Sequence, residues 1–121
     1  MKNRILSHMF TIDLYETTVV LLIGDSIEII NKHVNDNITK VDLLDTEGCV
    51  FENHLEGRFQ YYIVLVKSKL THNLIAHEVF HLSSSVLRTI NITDEEATAW
   101  VIGYITELLY DFLKSKQIII E

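Results

Sequence analysis

The sequence predicts one α+β domain spanning residues 1–121. It consists of a small antiparallel or mixed sheet packed with an N-terminal helix and a C-terminal antiparallel helix pair. Three observations predict this. Runs rich in β-branched and apolar residues, bounded by Gly, Asn and Asp, fill the first half. Two long stretches of helical period fill the second. The 121 residues contain no internal repeat, low-complexity tract or linker. A chain of this size buries roughly two thirds of its unfolded surface, enough for a core without disulfides. Its single cysteine, Cys49, has no intrachain partner, as expected of a reducing compartment.

Ile12 to Ile23 reads as a strand ending at Gly24-Asp25. Asp25 or Ser26 can then cap a short helix with Ile27, Ile30 and Val34 at helical spacing, stopped by Asn35-Asp36-Asn37. Val41 to Glu47 carries no decisive pattern. Gly48 to His54 and Arg58 to Val66 read as two strands around a turn at Glu56-Gly57. In the second, alternate residues are apolar on both sides, so both faces should be partly covered. Helices follow over about Leu70 to Ile90 and about Asp94 to Lys114. Thr93 stands as N-cap of the latter, with Glu96 completing a capping-box pattern. Only Asn91 and Ile92 separate Ile90 from Thr93, which predicts a helical hairpin.

Acidic residues outnumber basic ones 17 to 10, for a formal charge of −7. That balance repels phosphate backbones and argues against nucleic acid as a general partner. The most apolar run, Val19 to Ile23, is far too short to span a bilayer, and no secretory leader pattern opens the chain.

The chemistry lies in His77-Glu78-Val79-Phe80-His81. Residues four apart on a helix sit about 40° apart around the axis, one turn above each other. His77 and His81 therefore present two imidazoles on one face, at the spacing of two zinc ligands. Glu78 lies beside them, placed to act as general base. Zinc lowers the pKa of a water it binds toward about 7, and a carboxylate there takes the proton as the oxygen attacks a carbonyl. A hydrolytic zinc site needs a third protein ligand. The hairpin should return it from Asp94-Glu95-Glu96. Glu96, Ala99 and Gly103 share one face, which small residues would let approach the first helix, favouring Glu96 over Glu95.

His77-Glu78-Val79-Phe80-His81, a short spacer, Glu95-Glu96-Ala97-Thr98-Ala99-Trp100 and Gly103-Tyr104 together resemble small phage-encoded zincin-like proteins of minimal gluzincin type. Asp13-Leu14-Tyr15-Glu16 looks similar too. The resemblance implies a zincin-like fold, one Zn2+ on His77, His81 and Glu96, and metallopeptidase activity on a peptide or protein substrate. It places the protein in the cytoplasm of a bacterial host or in a virion. Larger gluzincins often carry an Asp four residues after the ligand Glu; Trp100 stands there instead. The alternative is a zinc-stabilised phage structural or assembly protein without turnover, partnered by other phage proteins or by itself. The small size of the chain motivates it.

Oxyanion stabilisation needs a further donor, for which Tyr104, His72, His54 and Arg88 are candidates without a defining spacing. Trp100, Tyr104, Leu108 and Phe112 form a helical stripe suited to core packing or self-association. Glu107 returns to the face of Glu96 as a solvated residue or a supporting acid.

Overall fold

The computed structural model describes residues 4–55 and 58–120. Strand β1 (Ile5–Ile12) pairs antiparallel with β2 (Thr17–Gly24), followed by helix α1 (Ile27–Asn37). Strands β3 (Gly48–Leu55) and β4 (Arg58–Val66) are antiparallel to each other, and β4 runs parallel to β2. Helices α2 (His72–Thr89) and α3 (Glu95–Ser115) complete the chain. The sheet order is β1-β2-β4-β3. The α+β expectation with a mixed sheet holds.

Both faces of the central strands are buried over most of their described length. Val19, Leu21, Ile23, Tyr61, Ile63 and Leu65 join one core with α2 and α3. The alternate residues Val20, Leu22, Tyr62, Val64 and Val66 join a second core under α1. Two side-chain directions on one pleated ribbon thus produce three layers. Gly24 ends β2 where α1 crosses: a Cβ there would come within 2.5 Å of Ile30 Cγ1, inside a fully buried core.

The run from Ile12 to Ile23 is not one strand. A 3-10 turn at Asp13–Tyr15 splits it, with Glu16 at φ 49°, and the chain doubles back so that Thr17 faces Ile12. No Gly or Pro marks that turn, so the local pattern of β-branched residues conceals it. The strand preceding it, β1, exposes alternate residues Ser7, Met9 and Thr11 and is not among the strands that the sequence predicts. The expected turn at Glu56-Gly57 lies outside the described residues.

Ser26 caps α1 by accepting from the Ile29 amide at 3.3 Å. The uncertain stretch from Val41 is pinned to α1 by its asparagines. Asn35 Oδ1 accepts from the Val41 amide at 3.0 Å, and Asn31 Oδ1 accepts from the Leu43 amide at 2.9 Å.

Thr71 caps α2, accepting from the Leu74 amide at 3.0 Å. Asn91, at φ 60°, closes that helix: the Ile92 amide reaches the Leu87 carbonyl at 2.9 Å and the Asn91 amide the Arg88 carbonyl at 3.1 Å. Asp94, rather than Thr93, caps α3, accepting from the Ala97 amide at 3.1 Å. The third helical position is then Ala97, so Glu96 is no capping-box partner. His72 at the start of α2 bonds Tyr110 near the end of α3, Nδ1 to hydroxyl 2.7 Å, which fixes the pair as antiparallel. Among the described residues no helix is long and apolar enough to cross a membrane.

Two substitutions probe this packing. Ser83 is fully buried on α2 and its hydroxyl finds no partner among the described residues. Ser83→Ala is expected to raise stability by about 1 kcal/mol in denaturant titration, since it removes an unsatisfied polar atom without opening a void. Gly24→Ala is expected to cost about 1–3 kcal/mol, because Ile30 must leave its packed position.

Candidate metal centre on helix α2

Helix α2 turns Ile75, Val79, Leu82 and Val86 to the sheet. One turn spacing then sends His77 and His81 outward together. Their Nε2 atoms lie 3.1 Å apart, with ring centroids 4.6 Å apart and planes at 78°. The His77 side chain is 62% exposed. Two nitrogens each about 2.0–2.1 Å from one tetrahedral zinc stand about 3.3 Å apart. The pair is therefore close to the spacing a shared ion needs, and both donors are of the type zinc prefers.

Glu78 sits beside His77 but is turned into the seam between α2 and β3, and is only 5% exposed. Its Oε2 stays 4.0 Å from His77 Nε2. Gly48 makes room for it: a Cβ there would stand 3.4 Å from Glu78 Cγ and 3.0 Å from the Val64 carbonyl. Burial pushes the Glu78 carboxyl above its ordinary pKa, against the pull of His77 and His81. A cleft of about 450 Å³ opens beside the pair, with His77, Glu78 and Leu74 on the α2 wall and Asp45, Glu47 and Gly48 on the other. Asp45, Glu47 and Lys69 had no local signal, because only the fold brings the loop before β3 to α2.

Glu96 lies in the first turn of α3 and is exposed. The face it shares with Ala99 and Gly103 does not approach α2. Ala99 and Gly103 are exposed, and a Cβ on Gly103 would meet nothing within 4 Å. The packed face of α3 belongs to Val101, Ile105, Leu109 and Leu113, on the opposite side of the helix. From the His72–Tyr110 register, Glu96 is level with about Val86, roughly 7–8 Å along the axis beyond His81. Among the described residues no group of three His, Cys, Asp or Glu side chains gathers in metal-holding geometry.

Two of the oxyanion candidates are engaged elsewhere. His72 bonds Tyr110, and the Tyr104 hydroxyl donates to the Thr11 carbonyl at 3.2 Å on the β1 side. His54 and Arg88 line a different cleft. In the aromatic stripe, Phe112 is buried and stacks on His8, while Trp100 is 47% exposed and stacks on Tyr104. Cys49 is half-buried, and burial with the nearby Glu78 charge raises its thiol to about 11, so it is unreactive at neutral pH.

The raised Glu78 pKa sets a direction for stability. The folded protein holds that proton more tightly than the unfolded chain, so this group favours folding below its ordinary value of 4.5 and that advantage is lost as pH rises through the folded pKa. Glu78→Gln in chelator is therefore expected to raise the thermal midpoint at pH 7 and to leave it nearly unchanged at pH 4. A larger gain at pH 4 than at pH 7 would contradict the assignment.

Compared with protein-family models, with curated proteins and with solved structures, the chain matches none of them, so the chemistry of this site is carried by its own geometry.

Proposed function

We propose that the protein is a zinc-dependent hydrolase of the gluzincin type acting on peptides, with His77 and His81 as ligands and Glu78 as general base. The observation that carries this is the pair of Nε2 atoms 3.1 Å apart beside a buried carboxylate 4.0 Å from one of them, at the mouth of a cleft. Bound zinc would supply a Lewis acid and a water of lowered pKa. The chain's own residues do the rest. The helix repeat brings the two imidazoles together on one face. Glu78 Oε2 takes a proton from the attacking water and returns it to the leaving amine. Its burial raises its proton affinity above that of an ordinary carboxylate, the direction a general base needs. Packing against β3 at Gly48 holds the carboxylate in place.

Glu96 enters this reading as the third ligand that the first turn of α3 must swing toward the pair. A second reading, a zinc-stabilised assembly protein without turnover, is favoured by one observation. Phe80 is 52% exposed and stands beside His81, with ring centroids 6.0 Å apart, as an apolar contact at the rim of an interface.

Zinc is expected to bind wild type and to raise its thermal midpoint in a melt; about 100-fold excess over Kd corresponds to about 2.7 kcal/mol. The double variant His77→Ala/His81→Ala loses that response. Stoichiometric zinc retained by the double variant, measured by elemental analysis after dialysis, rejects the site. Glu96→Ala is expected to weaken zinc at least about tenfold. An unchanged affinity removes Glu96 from the ligand set while leaving the histidines.

Glu78→Gln is expected to keep zinc and to abolish cleavage of a mixed peptide pool. Cleavage at the wild-type rate by Glu78→Gln excludes it as base. Absence of cleavage by both proteins, with zinc bound, leaves the assembly reading ahead.

A further inference from the structure

A second cleft, of about 610 Å³, lies farther along the same seam between α2 and β3. Its volume falls among those of small-ligand sites, about 300–1,000 Å³. Val50 and Glu52 line it from β3, and Ser85, Arg88 and Thr89 from α2. Both clefts belong to one track, because β3 and α2 advance together. Gly48 at the start of β3 meets Leu74 and Glu78, while Glu52 and His54 near its end share the second cleft with Ser85 to Thr89.

The charges in this cleft are divided between its walls. Glu52 stands with His54 on the β3 wall, 3.8 Å apart. Arg88 lines the cleft from the α2 wall. Thr89 is held as a fixed wall element: its hydroxyl donates to the Ser85 carbonyl at 2.9 Å and also meets the Tyr61 hydroxyl. His77, His81 and Arg88 fall at i, i+4 and i+11, one stripe of the helix. The rise from His81 to Arg88 is about 10 Å, which an extended peptide covers in about three residues.

We propose that this cleft is an anchoring subsite in which Arg88 binds a carboxylate of the substrate, about three residues from the bond cut at the His77–Glu78–His81 site. The carboxylate is either a free C-terminus or an Asp or Glu side chain. A guanidinium matches it with paired N–H donors. The inference rests on the hydrolase reading for its cut bond, but the binding step stands separately.

The test uses alanine-based hexapeptides in three forms: free C-terminal carboxylate, C-terminal amide, and amide with one internal Asp. Binding to the Glu78→Gln protein is followed by amide shifts in NMR, so that turnover plays no part. The expected result is shifts at Ser85–Thr89 and Val50–His54, with one or both acidic peptides bound about tenfold more tightly than the neutral amide. Which acidic form wins identifies the carboxylate's source. Arg88→Gln, its folding checked by thermal melt, is expected to erase the preference, and Arg88→Lys to retain part of it.

Equal binding of all three peptides, no shift in that segment at millimolar peptide, or an acid preference surviving in Arg88→Gln overturns the proposal. Zinc-dependent cleavage that ignores Arg88 also overturns it while leaving the hydrolase intact. Arg88-dependent binding with no cleavage by wild type sinks the hydrolase reading and keeps the subsite.

Discussion

The parallel pairing of β2 with β4 constrains everything else in this molecule. Parallel neighbours cannot be joined by a tight turn, so the chain must leave the sheet and return. It does so through α1 and β3, and both faces of the two central strands become buried. Burial on both faces then demands a second helical layer opposite α1. The chain meets that demand directly after β4, with α2 and α3 laid antiparallel over the remaining face. Because β3 is the edge strand beside β4, α2 also acquires a neighbour along its flank. The seam between α2 and β3 holds Glu78 and the two clefts lined by Asp45, Glu47, Glu52 and Arg88.

Glu78 shows how that seam gives a common residue an uncommon setting. A mid-helix glutamate on a solvated face has an ordinary pKa. Here the same helix that turns His77 and His81 to water turns Glu78 beneath β3, where Gly48 leaves room for its stem and for little solvent. Three positions within five residues thus divide into an exposed nitrogen pair and a buried oxygen. The division follows from helical geometry plus one neighbouring strand. The Cys49 thiol feels the same arrangement, raised by burial and by the Glu78 charge.

The two helices of the hairpin are held by their ends. His72 and Tyr110 join the open end, while Asn91 in the left-handed region and the Asp94 cap shape the closed one. That register leaves the acidic first turn of α3 beyond the histidines rather than over them.

What the sequence by itself determined is local. The His77–His81 repeat, the helices around it, Ser26 as one of two candidate caps of α1, and the strands Gly48 to His54 and Arg58 to Val66 all rest on spacing within a few residues, whereas the cap of α3 is Asp94 and not the expected Thr93. The α+β class followed from those elements. Tertiary structure decided what depends on contacts across the chain. It broke the run from Ile12 to Ile23 into two strands, since pairing of Ile12 with Thr17 outweighs the strand propensity of the turn. It assigned the packed face of α3 to Val101, Ile105 and Leu109, turning Glu96, Ala99 and Gly103 outward: burying large aliphatic side chains gains more than a close approach of small ones. It also brought Asp45 and Glu47 to the α2–β3 seam, because a side chain's neighbours across a sheet edge are set by strand order, which no local spacing encodes.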